Sequence, residues 1–145
     1  VAQSGSEVGT AATAMFANDS ASRALGIELT EVGLGNATAR MRVTEQMVNG
    51  HDIMHGGYLF LLADTAFACA CNSHGPVTVA AGAEITFVAS GNLGDHLIAI
   101  AEERVRYGRS GIYDVTVCRE TDTGQVVLAE FRGRSRTIGQ APNQE

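Results

Sequence analysis

Within residues 49–64, Asn-Gly-His-Asp-Ile-Met-His-Gly-Gly-Tyr-Leu-Phe-Leu-Leu-Ala-Asp, a pair of glycines precedes an apolar run that ends on an acid. Gly56 and Gly57 fall at the expected start of a helix, where the first backbone N–H groups have no partner inside the helix and the dipole favours negative charge. A carbonyl oxygen gaining negative charge could accept hydrogen bonds there, and glycine lets a second molecule approach the backbone. Tight packing or a turn is the other use for such a pair. Asp64 lies two turns inside the run, where an ionised carboxylate without partners is costly. Functional acids are often held in such places, and a carboxylate ionised at neutral pH could act as base or nucleophile. An Asp bonded to backbone, or facing a wet interface, would sit there for structural reasons.

Gly56 and Asp64 are separated by about 12 Å along a helix, whereas a catalytic acid and an oxyanion donor must both lie roughly 3 Å from one reacting carbonyl. One helix therefore cannot supply both groups to the same substrate. The expectation is that Gly56 of one chain faces Asp64 of another, in a homodimer with two equivalent sites. His51 and His55 are four apart, as in the zinc pattern H-E-x-x-H, but the residue after the first is Asp52 and glycines flank the pair. No metal site is expected, and His55 is expected to orient the glycine turn or the substrate carbonyl.

Holding these residues requires a buried helix. Residues 57–73 are apolar on every face, with Asp64 and Thr65 as the main polar interruptions, so other structure must wrap them. Residues 10–25 read as one helix or two short ones, broken by Asn18-Asp19-Ser20. Residues 26–32 and 36–43 read as a hairpin around Gly33 and Gly35. Four β-rich stretches, 77–89, 96–106, 111–119 and 125–137, suggest an antiparallel meander. Residues 1–9 and 139–145 look loose. The whole reads as one α+β domain, a long central apolar helix wrapped by a curved antiparallel sheet, which is the layout of the hotdog fold.

Composition narrows the chemistry. Of the 145 residues, ten are arginine and none is lysine, which excludes Schiff-base chemistry, Ser-Lys hydrolysis and a lysine-dependent P-loop. The net charge of -6 argues against a nucleic-acid partner. Three cysteines, Cys69, Cys71 and Cys118, form neither a disulfide framework nor a zinc pattern, so a reducing, cytoplasmic setting is expected. The apolar helix is too short and too interrupted for a membrane span, and residues 1–8 do not look like a signal peptide. Seven arginines fall between Arg104 and Arg136, and Arg132, Arg134 and Arg136 alternate along the last strand. Such a cluster suits a phosphorylated ligand or a solvated face with ion pairs to Glu102, Glu103, Glu120 or Glu130. Tyr58, Phe60, Phe67 and Phe87 could pack in the core or line an aryl pocket.

At these residues the chain resembles the hotdog-fold thioesterases of phenylacetate degradation. The resemblance centres on N-G-H-x-x-x-H-G-G-x-L-F-x-L-A-D-T-A-F-A from Asn49 to Ala68, and continues through Cys71-Asn72-Ser73, Gly94-Asp95, Gly111-Ile112-Tyr113-Asp114 and Phe131-Arg132-Gly133. It covers most of residues 25–139. It implies hydrolysis of phenylacetyl-CoA or ring-hydroxylated relatives without a cofactor, in dimers that pair into a tetramer. It also implies that Asp64 attacks the thioester or activates water, that Gly56 N–H, with Gly57, polarises the carbonyl, that Asn49 positions the water and that His55 supports the carbonyl side. Arg106, Arg109, Arg132 and Arg134 are the candidates for the CoA phosphates, and Phe67 and Tyr58 for the acyl group. Related families place Gln at the Asn49 position, Glu at the Asp64 position, and often Ser or Thr where this chain has Ala68. The competing readings are a noncatalytic hotdog module that binds acyl-CoA and a dehydratase acting on a 3-hydroxyacyl thioester.

Overall fold

The computed structural model describes residues 8–140. The polar break at residues 18–20 divides the first helical stretch into α1 (Thr10–Ala17) and α2 (Ser20–Ala24), and Asp19 caps the second of them. Strands β1 (Glu28–Gly33) and β2 (Asn36–Arg42) form the expected hairpin. A short 3₁₀ turn, Glu45–Met47, leads to the long helix α3 (Gly56–Asn72), and then come β3 (Thr78–Phe87), β4 (His96–Tyr107), β5 (Ser110–Thr121) and β6 (Gly124–Thr137). Among the described residues no helix is long and apolar enough to cross a membrane. Of the ends expected to be loose, 1–9 and 139–145, residues 1–7 and 141–145 lie outside the described residues, whereas Gly9 is buried as the N-cap of α1.

All six strands form one antiparallel sheet in the order β1-β2-β4-β5-β6-β3, with α3 lying across one face. The four-strand meander is therefore corrected to three strands, β4, β5 and β6, with β3 on the far edge beside β6. The helix crosses the sheet before the chain turns back, so β3 starts at the opposite side from β2. Asn72 fixes this turn: its amide donates to the carbonyls of Ala68 at 2.8 Å and Thr78 at 2.9 Å, and its Oδ1 accepts from Thr78 N–H. Residues 88–95 then return to β4, tied down by Val88 N–H to Leu128 O and Val43 N–H to Asp95 O.

Small residues let the helix sink onto the sheet. Ala37 faces Ala101 and Ala39 faces Ala99 across β2 and β4, and all four are buried. Leu62, Ala63, Ala66 and Ala70 of α3 belong to the same core. Register shifts within the β4–β5 and β5–β6 pairings add the local twist that bends a sheet around a helix. Phe67, a candidate for substrate contact in the sequence, is 1% exposed and packs against Tyr113 and Phe131 in the core. The structure corrects that assignment, because α3 turns this ring toward the middle of β5 and β6. Gly133 of β6 leaves room for it, since a Cβ there would come within 2.7 Å of the ring. Gly133→Ala is expected to destabilise the fold by about 1–3 kcal/mol, measured by urea unfolding, because a ring wedged between two aromatics cannot retreat.

Candidate active site

The start of α3 is held from both sides. Met54 N–H donates to Gly91 O at 2.8 Å and His55 N–H to Met47 O at 2.7 Å, anchoring the entry loop to the sheet end and to the 3₁₀ turn. Asn49 organises that loop: its backbone N–H bonds Ile53 O, while its side-chain oxygen accepts from His51 N–H at 2.9 Å. Asp52 adopts φ 65°, a left-handed conformation that Asp tolerates better than most residues. The segment from His51 to His55 is thus a pinned loop outside any helix, so the zinc-like spacing does not place both imidazoles on one helical face.

His55 is the N-cap of α3, and its Nδ1 accepts from Gly57 N–H at 2.9 Å. This occupies the donor that the sequence offered as oxyanion support at Gly57. Gly56 N–H has no partner among the described residues, which leaves it as the available donor at the helix N-terminus. Tyr58 sets its ring edge against His55, 6.3 Å between centroids. Phe87, at the end of β3, lies over Gly56: a Cβ on Gly56 would come within 2.8 Å of its ring, although the ring itself is 54% exposed. Sequence reasoning placed Phe87 only among general aromatic candidates, because nothing local connects it to a residue 31 positions earlier.

Asp64 is half-buried on α3 and has no hydrogen-bond partner among the described residues. Burial, and then the negative charge of Asp19, push its carboxyl above the ordinary carboxylate value. Within one chain Gly56 and Asp64 remain at separate places on the same helix, as their spacing requires. Burial also pushes the thiols of Cys69 and Cys71 up to about 12, which removes them as nucleophiles near neutral pH.

The structure divides the arginines. Arg132 and Arg134 point from the sheet face opposite α3, Arg132 forming a fork with Asp114 and Arg134 an ion pair with Glu84. Hydrogen bonds from Arg132, joined by Arg104, hold the Asp114 carboxyl down to about 2. Arg40 pairs with Glu120 on the same outer face. Arg106 and Arg109 instead line a cavity of about 120 Å³ at the C-terminal end of α3, with Cys71, His74, Tyr113 and Ser135. Beside it, Glu103 accepts from Tyr113 OH at 2.8 Å and pairs with His74 at 2.7 Å, while Arg106 reaches the other nitrogen of His74. No local pattern in the sequence announces this cluster, whose members come from one loop and two strands.

Residues 51–125 match the family described as the thioesterase superfamily. The chain belongs to the thioesterase superfamily. Within the superfamily it is 45% identical over 128 residues to the acyl-coenzyme A thioesterase PaaI of Escherichia coli strain K12, covering 88% of this chain and 89% of that one. The structure of the E. coli PaaI protein from the phenylacetic acid degradation operon matches with a TM-score of 0.89 and 42% identity, over 94% of this chain and 97% of that one. A mutant of the phenylacetic acid degradation protein PaaI from Thermus thermophilus matches with a TM-score of 0.76 and 30% identity, over 81% and 97%. The hotdog fold and the thioesterase class expected from the sequence are those of this chain.

Proposed function

We propose that this chain hydrolyses phenylacetyl-CoA, or a ring-hydroxylated relative, to the free acid and CoA. One observation carries the reading: an N–H at Gly56 and a carboxylate at Asp64, both without partners among the described residues, sit on the one buried helix of a chain closely similar to an acyl-CoA thioesterase. The thioester carbonyl would accept from Gly56 N–H, where the helix dipole stabilises the developing oxyanion. Asp64 serves as base or as nucleophile. As base, it takes a proton from water while the water oxygen bonds to the acyl carbon. As nucleophile, it forms a mixed anhydride that water then opens. Both routes break the carbon–sulfur bond, and the thiolate leaves as CoA after taking up a proton. Where water opens the anhydride at the Asp64 carboxyl carbon, ¹⁸O from water enters Asp64 in a single turnover, which the base route never produces. Asn49 keeps a side-chain amide, unpartnered among the described residues, for the water. The scheme uses a carboxylate, a backbone N–H and water, and requires no cofactor.

The site is completed by a second copy of the chain. Strand β3 lies at the sheet edge, and Val79, Phe87 and the following Val88 are exposed there, an arrangement that invites pairing with another strand. Pairing there would place the two α3 helices side by side, Gly56 of one near Asp64 of the other. Two such dimers form the tetramer implied by the resemblance.

The cavity beside Arg109 is the candidate site for the CoA phosphates, since Arg132 and Arg134 already have carboxylate partners on the outer face. Arg109→Ala is expected to raise KM for phenylacetyl-CoA about tenfold, the worth of one charge-assisted hydrogen bond, and to leave KM for phenylacetyl-pantetheine unchanged. Equal effects on both substrates would remove the phosphates from this cavity.

A further inference from the structure

Asp19 does more than a helix cap needs. Its Oδ1 accepts from Ser22 N–H at 2.9 Å, which caps α2. Its Oδ2 accepts from the Ser22 hydroxyl at 2.6 Å, and Ser22 Oγ lies 2.7 Å from Thr65 Oγ1. Both hydroxyls are buried, and Thr65 directly follows Asp64 on α3. With the Ser22 proton committed to Asp19, Thr65 is the donor between the two hydroxyls, and its one proton is shared with Leu61 O, one helical turn back at 2.9 Å. The chain of contacts fixes a carboxylate against the turn of α3 that carries Asp64. A neutral Asn or Ser would cap α2 equally well, whereas a second negative charge beside a half-buried acid works against folding.

We propose that Asp19 is a positioning residue for the hydrolysis, a fixed negative charge set behind Asp64 through Ser22 and Thr65 that makes the Asp64 carboxylate a stronger base. This rests on the first of the two routes given for Asp64 above, in which it acts as base. The raised proton affinity of Asp64 agrees with it, burial being the larger cause and Asp19 the second. The thiol of Cys71, two turns along α3, is the other group coupled to Asp64, and it is uncharged near neutral pH because burial raises it. With Asp19 charged, Asp64 retains its proton to higher pH and takes one more readily from water.

The test is a ¹³C-carboxyl NMR titration of Asp64 in the full-length wild type and in Asp19→Asn, with kcat/KM for phenylacetyl-CoA followed over the same pH range. Asn preserves the cap and removes the opposing charge, so the thermal midpoint is expected to hold or rise while the Asp64 titration midpoint falls by roughly half a pH unit or more. The acid limb of kcat/KM should fall with it, and Asp19→Ser, a second neutral cap, should act in the same direction. An Asp64 midpoint that is the same in wild type and both variants would overturn the proposal. A midpoint that falls while the acid limb stays in place would instead locate the failure in the catalytic role of Asp64, and the service of Asp19 to the reaction would fall with it.

Discussion

Asp64→Asn is expected to lower kcat for phenylacetyl-CoA by about a thousandfold, read as free CoA thiol released, with the KM changed little. Asn has the shape of Asp but neither attacks a thioester nor takes a proton from water. The loss will not come from misfolding, and the sign of the pKa shift says why. The folded chain binds the Asp64 proton more tightly than the unfolded chain does, so stability from this group is gained as pH falls through the raised folded value and is missing above it. At neutral pH the ionised carboxylate therefore opposes the fold, and also faces the charge of Asp19. Replacing it with a neutral amide should leave the thermal midpoint unchanged or raise it. An inactive variant at least as stable as wild type identifies a group kept for chemistry. Retained activity would remove Asp64 from the mechanism.

Mixing two dead variants should restore activity. Gly56→Val is expected to abolish hydrolysis, because its side chain must displace the Phe87 ring that lies against Gly56 and will crowd the Gly56 N–H. If each site takes Gly56 from one chain and Asp64 from the other, a heterodimer of Gly56→Val with Asp64→Asn carries one site with both defects and one with neither. Co-refolding equal amounts should then recover about a quarter of the wild-type rate, since half the dimers are mixed and each has one intact site. A site built within a single chain predicts no recovery. Two differently tagged variants, purified in tandem to isolate the heterodimer, sharpen the expected recovery to about half.

The sequence made the central helix legible because a run with no polar face can only be wrapped, and it made Gly56 and Asp64 legible because each is out of place there. It also showed, by length along the helix alone, that the two could not share a substrate within one chain. The position of β3 was not legible, since turn residues between strands report reversals of direction but not which edge the next strand joins. The Asn18-Asp19-Ser20 break was visible as an interruption, yet its bond through Ser22 to Thr65 joins residues 43 apart and leaves no local pattern. The same holds for Phe87 on Gly56 and for Glu103 between His74 and Tyr113. Conversely, the arginine alternation of β6 was real, but the carboxylates that answer it, Asp114 and Glu84, stand on neighbouring strands whose pairing had first to be known.

The three cysteines are all free and all buried. An enzyme of the proposed kind liberates a thiol at every turnover, and under oxidising conditions that product becomes a disulfide able to trap any accessible cysteine as a mixed disulfide. Attack on such a disulfide requires a thiolate. Cys69 and Cys71 ionise only near pH 12, and burial raises Cys118 as well. The packing around α3 thus insulates Cys69 and Cys71 from the oxidised product, while Cys118, on β5 outside that core, is kept from it by its own burial.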